Sequence, residues 1–201
     1  MVPELRHAPA LRACLPRPHG RLELPGLRPA AAACAVGGVD VARIAKGLER
    51  FDAAFGRFER LQVGGRDAVL LLAKNPAGAN ELIRTLATDA RPKQLLVALN
   101  DRIADGRDIS WIWDVDFELL AGHTQGVVTA GTRAAEMAMR LKYGGVGGER
   151  LEVARGIDAG LDRALAGGEG PVYLLGTYTA MLELRAVLER RGVVRPYWEA
   201  A

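Results

Sequence analysis

The sequence of 201 residues has few of the side chains from which metal centres and disulfide frameworks are built. It contains two cysteines, Cys14 and Cys34, which form no CxxC motif, and of its three histidines only His123 lies beyond residue 30. A structural zinc site needs about four cysteine or histidine ligands, so the sequence supports no metal site of that kind. With two cysteines, a disulfide framework is also disfavoured.

Long apolar runs and phosphate-binding glycine motifs are missing as well. No run approaches the roughly 18 apolar residues of a spanning helix, and no secretory segment follows Met1. We therefore expect a cytoplasmic protein without a transmembrane segment. Neither GxxxxGK[ST] nor GxGxxG occurs, and "GGVGGER" at 144–150 is merely rich in glycine. The phosphate-cradling loop of an ATPase is thus not found in this sequence.

Excess basic charge is confined to the first 30 residues. The net charge is +3, and this segment alone has five arginines against two glutamates, so the remainder is balanced. A nucleic-acid-binding domain usually shows a basic footprint, and we expect no nucleic-acid partner here. The same segment holds six of the ten prolines, which interrupt helices and sheet ladders. We predict an irregular Pro/Arg-rich leader over residues 1–29.

Helical and strand patterns alternate after residue 30. Asp40 is predicted to cap a helix that carries Val41, Ile44 and Leu48 on one face. The runs "AVLLLA" and "KQLLVALN" are largely apolar on both faces, which is typical of central parallel strands. Further strands are predicted near 58–63, in "GVVTAG" and in "GPVYLLGTY", whereas "ERLEVARGIDAGLDRALAGG" is predicted to be largely helical. These patterns indicate an α/β fold, with a mostly parallel sheet flanked by helices.

Polar loops follow three of the predicted strands, at the edge where parallel sheets usually form their sites. In "AKNPAG", Lys74 and Asn75 precede a helix N-terminus, which favours anions such as phosphate, although the same pattern also describes an ordinary helix cap. In "LGTYTA", Thr177 or Thr179 is predicted to cap the following helix.

An arginine also lies just before the first strand. Arg57, in "FGRFE", has a guanidinium group suited to phosphate, or it pairs with Glu59 on the surface.

The stretch "NDRIADGRDISWIWDVDFE", residues 100–118 and here called the Asp-Trp segment, holds five aspartates and two of the three tryptophans. It is not an EF-hand loop, because Ile103 stands two residues before Asp105, where an acidic or amide residue is needed. A magnesium site made by two carboxylates stays open. In another interpretation, one aspartate serves a histidine of another protein, since a complete nucleophile–His–acid triad within this chain is improbable. In the structural alternative, the carboxylates cap turns and the tryptophans belong to the core.

Five stretches, "FGRFE", "LLLAKNPAGANE", "LNDRIADGRDISWIWDVDFE", "GTRAAEMAMRLKYGGV" and "YTAMLELR", together resemble the C-terminal domain of the MurT family. MurT proteins are the Mur-ligase-like subunits of lipid II isoglutaminyl synthase. By this resemblance the fold is that of a Rossmann-like Mur ligase C-terminal domain over residues 55–201. Residues 30–54 would be remnant helices of the family's ATP-binding middle domain, whose P-loop and four-cysteine zinc ribbon are not found here.

The resemblance also implies a reaction and a partner. In this family a GatD-type glutamine amidotransferase releases ammonia from glutamine. The ligase subunit uses ATP and Mg to convert D-glutamate of the lipid II stem peptide, a peptidoglycan precursor, to D-isoglutamine. We expect no productive ATP binding by this chain alone. The alternatives are a catalytically incompetent remnant and a stand-alone Rossmann-like interaction module.

Site residues follow from the same resemblance. A MurT aspartate completes the Cys–His pair of the amidotransferase, and we place it at Asp114, with Asp108 as second choice. The remaining predicted positions are Trp111, Trp113 and Asp116 at the partner interface, and Arg57, Lys74 and Asn75 near ATP.

Overall fold

The computed structural model describes residues 27–49, 57–89 and 91–195, and for residues 27–30, 48, 49 and 57 it describes the backbone alone. The leader predicted over 1–29 therefore lies almost wholly outside the described residues. By its internal contacts the chain divides into two compact units, with the boundary between residues 52 and 53.

The first unit contains helices α1 (Leu27–Val36) and α2 (Val41–Glu49). The Asp40 carboxylate accepts hydrogen bonds from the backbone N–H groups of Ala42, at 3.0 Å, and Arg43, at 3.3 Å, so the predicted cap is confirmed. Val41 and Ile44 are partly buried, whereas the side chain of Leu48 lies outside the description.

The second unit is built around a single sheet of six strands. Its strands are β1 (Arg57–Val63), β2 (Arg66–Leu72), β3 (Lys93–Ala98), β4 (Thr124–Ala130), β5 (Leu151–Val153) and β6 (Val172–Gly176), and its helices are α3 (Pro76–Ala87), α4 (Ala134–Tyr143), α5 (Ile157–Ala166) and α6 (Tyr178–Arg190). The strand order is β1-β2-β6-β3-β4-β5, with β1 antiparallel to β2 and every other pair parallel. The predicted α/β class with a mostly parallel sheet is confirmed.

Helices cover both faces of this sheet. Strands β3 and β6 are buried along their whole length, as their apolar runs predict. One face packs against α5 and α6, through residues such as Leu96 and Leu174. The opposite face, with Leu95 and Tyr173, packs against α3, α4 and part of the Asp-Trp segment. The hydrophobic core therefore lies in two layers, one on each side of the sheet.

The prediction of a largely helical stretch over "ERLEVARGIDAGLDRALAGG" is wrong in its first part. Strand β5 pairs in parallel with Val127–Thr129 of β4 at the edge of the sheet, and α5 begins only at Ile157. The side chains of β5 are partly or fully exposed. A three-residue edge strand thus gives almost no apolar pattern, and its stabilisation comes from backbone pairing with β4.

The connection between parallel strands β3 and β4 contains no α-helix. The Asp-Trp segment forms a first 3-10 turn over Ser110–Asp114, and a second follows over Phe117–Leu120. Ile112, Phe117 and Leu120 are buried on the sheet face between α3 and α4. The segment therefore fills the place of a crossover helix, and Asp108, Asp114 and Asp116 are exposed.

Candidate functional site

The carboxyl ends of three neighbouring strands are joined by Asn100, which is 1% exposed. Its backbone N–H donates to Thr177 Oγ1 at 3.0 Å, and its Nδ2 donates to Thr179 Oγ1 at 3.0 Å. The backbone N–H of Thr132 donates to Asn100 Oδ1 at 2.9 Å. These bonds tie the ends of β3, β4 and β6 together, so the Asp-Trp segment starts from a fixed point.

Two aspartates of the Asp-Trp segment, Asp105 and Asp101, have structural roles. Asp105 accepts hydrogen bonds from the backbone N–H of Thr179, at 2.7 Å, and from its hydroxyl, and so caps α6. Thr177 precedes that helix as predicted, but its hydroxyl bonds to Asn100 and not to the helix. The Asp101 carboxylate accepts bonds from the Thr132 hydroxyl and from Arg133 Nε, both at 2.8 Å, and these lower the pKa of Asp101.

Asp108, the second choice for the triad aspartate, closes a turn. Its carboxylate accepts a hydrogen bond from the backbone N–H of Ser110 at 2.8 Å, and hydrogen bonding to Ser110 lowers the pKa of Asp108. The bond lies immediately ahead of the first 3-10 turn, and the side chain is exposed. One oxygen of Asp108 is therefore already engaged.

Asp114, the first choice, combines an exposed carboxylate with a fixed backbone. Within the described ranges its carboxylate forms no hydrogen bond or ion pair. Its backbone oxygen accepts a hydrogen bond from Asn80 Nδ2 at 3.0 Å, and Asn80 Oδ1 accepts one from the N–H of Asp116 at 2.7 Å. The Asp116 carboxylate pairs with Arg84 at 3.2 Å on the surface. Sequence reasoning missed Asn80, which reaches the segment from helix α3.

Arg140, on helix α4, holds the same segment from the other side and was also missed. It is 3% exposed. Its Nε donates to the Ile112 carbonyl at 3.1 Å, its Nη2 donates to the Val115 carbonyl at 2.6 Å, and it pairs with Glu118 at 2.9 Å. The sequence signal for Arg140 is its place on the face of α4 whose other residues are apolar and buried.

The two tryptophans of the segment differ in exposure. Trp111 is partly buried and lines a small apolar cavity of about 20 Å³ together with Ile83. Trp113 is 49% exposed, and its ring centroid lies 6.0 Å from that of Tyr143. Tyr143 and Met139, one turn apart on α4, are also exposed. Trp113 and Tyr143, whose rings are close together, and the exposed Met139 of the same helix as Tyr143 are here called the Trp113 patch, and Trp113 directly precedes Asp114 in the chain.

The positions predicted near ATP meet at one corner of the sheet. Arg57 in β1 pairs with Leu71 of β2, and Lys74 and Asn75 come two and three residues after the end of that strand. Asn75 Oδ1 accepts the N–H of Gly78 at 2.8 Å, which confirms the helix-cap role of this turn. Lys74 is exposed, and no hydrogen bond or ion pair engages it in the part of the chain that is described.

For Arg57, the position of the side chain lies outside the description. Its alternative partner, Glu59, is bound by Arg185 Nη1 at 2.6 and 2.8 Å. Phe58, which lies between Arg57 and Glu59, has a φ of +58°. The register of the β1–β2 pairing shifts at this residue, so the strand has a bulge here.

The described residues contain neither a metal-binding cluster nor a membrane-spanning helix. No group of three His, Cys, Asp or Glu side chains within 27–49, 57–89 and 91–195 is arranged to hold a metal ion. Among the helices of those same ranges, none has the length and apolar character needed to cross a membrane.

Comparison with known proteins identifies relatives by sequence. The profile of the family described as "MurT ligase C-terminal" matches residues 72–181. The lipid II isoglutaminyl synthase (glutamine-hydrolysing) subunit MurT of Streptococcus pneumoniae is 37% identical over 159 residues, which are 79% of this chain and 36% of that protein. The MurT subunit of Staphylococcus aureus is 38% identical over 106 residues, 52% of this chain and 24% of that protein. The chain thus spans about a third or less of the length of these relatives.

Solved structures share the fold at lower identity. Escherichia coli FolC in complex with DHPP and ADP superposes with a TM-score of 0.57 and 20% identity, over 89% of this chain and 41% of that one. The UDP-N-acetylmuramate–alanine ligase MurC of Thermotoga maritima gives a TM-score of 0.53 and 16% identity, over 80% and 35%. The second unit therefore has the C-terminal fold that Mur ligases and folylpolyglutamate synthases share. The profile match shows that the chain belongs to the MurT ligase C-terminal family.

Proposed function

We propose that this chain acts as the C-terminal domain of a lipid II isoglutaminyl synthase subunit. A GatD-type glutamine amidotransferase docks on the Trp113 patch, and Asp114 completes the Cys–His pair of that partner. The observation that carries this proposal is the Asp114 carboxylate, exposed and without a hydrogen-bond partner in the described residues, on a backbone that Asn80 holds in place.

The chemistry of a triad explains why Asp114 suits this role. The acid of a triad orients the histidine and stabilises its protonated form, so it needs a free oxygen and a fixed position. Asp105 is committed to Thr179, and Asp116 is paired with Arg84. Asp108 is bonded to Ser110 but is exposed, and it remains the second candidate.

Exposed aromatic surface supports the docking half of the proposal. Tryptophan and tyrosine are enriched among the residues that dominate binding energy at protein interfaces. Trp113, the residue before Asp114, and Tyr143 are exposed with their rings close together, whereas Trp111 is partly buried and packs against the core. A partner bound to this patch covers the indole and brings its histidine close to the carboxylate.

The complete reaction, ATP-dependent amidation of D-glutamate in lipid II to D-isoglutamine, belongs to the assembly in the cytoplasm. ATP activates the carboxylate there so that ammonia can replace an oxygen. Lys74 supplies a cation, and the Asn75 amide a donor, beside the N-terminus of α3, which suits a contact with phosphate. Arg57 lies at the same corner. Because this sequence has no phosphate-cradling glycine motif, the other contacts to ATP and Mg come from outside it.

The test is the glutaminase activity of a purified GatD-type amidotransferase, measured with and without this chain. We expect the chain to bind and to stimulate release of glutamate from glutamine. Asp114→Asn should bind equally well and abolish most of the stimulation, because an amide cannot stabilise a protonated histidine. The matched control is Asp162→Asn, which neutralises an exposed carboxylate of helix α5 on the other face of the sheet and should retain the stimulation.

Two results decide against this function. If the chain binds without stimulating, it is an interaction module, the alternative that the exposed Trp113 patch also favours. If it does not bind, the chain is a remnant without the role of the family. Equal stimulation by wild-type and Asp114→Asn chains would transfer the role to another residue, with Asp108 tested next.

A further inference from the structure

We propose that Arg140 is the positioning residue for Asp114. This inference rests on the proposed role of the Asp114 carboxylate and adds to it the group that sets its direction. Arg140 reaches Asp114 through the backbone on both sides and touches no reacting atom, so it acts through the segment.

The guanidinium group binds the two carbonyls that flank Asp114. Its Nε donates to Ile112 two residues before, at 3.1 Å, and its Nη2 donates to Val115 one residue after, at 2.6 Å. The planar fork of arginine holds two acceptors in a fixed relative orientation, which the single ammonium of lysine cannot do. The 112–113 and 115–116 peptide groups, one before and one after Asp114, are therefore held relative to helix α4.

The same group also fixes the Trp113 patch. The guanidinium carbon lies 5.4 Å from the ring centroid of Trp113 and 5.4 Å from that of Phe117, within the range of cation–π contact. Helix α4 is anchored to the sheet by Met137 and Leu141, which are almost completely buried. Arg140 thus connects the exposed indole, the exposed carboxylate and the core in one unit.

Fold stability alone does not explain this arrangement. Burying a charge is costly, and an apolar residue of similar volume is often equally stabilising or better. Here the carboxylate that pairs with the buried charge, Glu118, lies at the surface, while Nε and Nη2 also donate to the backbone carbonyls of Ile112 and Val115. The contacts therefore serve the geometry of one short turn.

The first experiment needs no partner. Amide hydrogen exchange of Ile112 and Asp116 is compared between the wild-type chain and Arg140→Lys, because both N–H groups are bonded in the ordered segment. We expect at least tenfold faster exchange in the variant. Arg163→Lys, the same change at an exposed arginine paired with Glu152 on the other face, should leave both rates unchanged. Unchanged exchange in Arg140→Lys would overturn the inference whatever the function of the chain.

The second experiment separates positioning from docking. With a GatD-type amidotransferase, Arg140→Lys should lower kcat of the stimulated glutaminase at least tenfold and raise the partner Kd less than about threefold. Asn80→Ala, which removes the second clamp at a site closer to the surface, should give the same split and keeps the test open if Arg140→Lys folds poorly. Arg163→Lys should match the wild type.

The outcomes distinguish this inference from the proposed function. If the wild-type chain fails to stimulate the amidotransferase, the proposed function fails, and a role for Arg140 toward Asp114 fails with it. If the wild type stimulates but Arg140→Lys and Asn80→Ala keep full kcat despite faster exchange, only the positioning role is overturned. A rise in Kd at constant kcat would make Arg140 a docking residue instead.

Discussion

The Asp105 carboxylate accepts both the backbone N–H and the hydroxyl of Thr179, so that a loop leaving strand β3 caps helix α6. The hydroxyl of Thr177, at the usual capping position, instead accepts the backbone N–H of Asn100. An acidic residue that looks available for chemistry in the sequence is thus committed to holding two elements together.

Removal of this cap should cost stability. We expect Asp105→Ala to lower the free energy of unfolding by about 1–2 kcal/mol, since a side-chain cap contributes about this much. Urea denaturation measures the change. Asp114→Ala is the matched control, and we expect it to stay within about 0.5 kcal/mol of the wild type because its side chain is exposed and makes no bond in the described residues. An equal loss in both variants would contradict the capping role.

The turn after β2 gives a second prediction, which separates its cap from its charge. Asn75→Ala should destabilise the domain by about 1 kcal/mol, because the N–H of Gly78 loses its acceptor, whereas Asn75→Asp should retain the cap. Lys74→Ala, at the exposed neighbouring position, should leave the denaturation midpoint unchanged. A large effect of Lys74→Ala would show that this side chain has a structural role that its exposure does not reveal.

Acid should weaken the domain through Asp89. Hydrogen bonds from the Arg91 guanidinium hold the pKa of Asp89 below its ordinary value of 3.8. A carboxyl whose pKa is lower in the folded than in the unfolded state stabilises the fold at pH values above the unfolded pKa. This stabilisation is lost as the pH falls through the folded pKa. We therefore expect Asp89→Asn to flatten the loss of stability below about pH 4, measured by denaturation at a series of pH values. Parallel profiles for the two proteins would contradict this.

Gly131, which directly follows strand β4, is closely packed and gives a further prediction. Its φ is +95°, and an added Cβ would lie 2.5 Å from the Leu99 carbonyl oxygen and 2.7 Å from Asn100 Oδ1. Backbone strain and overpacking together should cost about 2–4 kcal/mol in Gly131→Ala. Gly148→Ala, where a Cβ meets open space, should be tolerated. The comparison is made by the thermal midpoints of the two variants. A small effect of Gly131→Ala would mean that the backbone of Leu99 and the side chain of Asn100 can move to make room.

The strands could be predicted because their signals are local. The apolar runs of β2 and β3 identify central strands without any knowledge of their neighbours, and Asp40 precedes its helix directly. Strand β5 was not predicted because its three residues at the sheet edge are ordered by backbone pairing with β4. Such pairing produces little pattern in the side chains.

The site could be predicted only in part, because its support is long-range. Asn80 and Arg140 act on residues that are 36 and 25 positions away in the sequence, Asp116 and Val115 respectively. No spacing rule connects such pairs. The sequence also cannot rank the aspartates of the segment, since what separates Asp114 from the others is which carboxylates already have partners in the fold.

Helix α3 carries residues of both proposed sites. Asn75 caps its first turn at the corner proposed for ATP, and Asn80, about 7.5 Å further along the axis, holds Asp114 and Asp116. The cap and Asn80 belong to one 12-residue helix, so a displacement of its first turn relative to the sheet also displaces the side chain that holds the backbone of Asp114. In mechanical terms α3 is a lever arm that joins the corner proposed for ATP to the aspartate proposed for the triad.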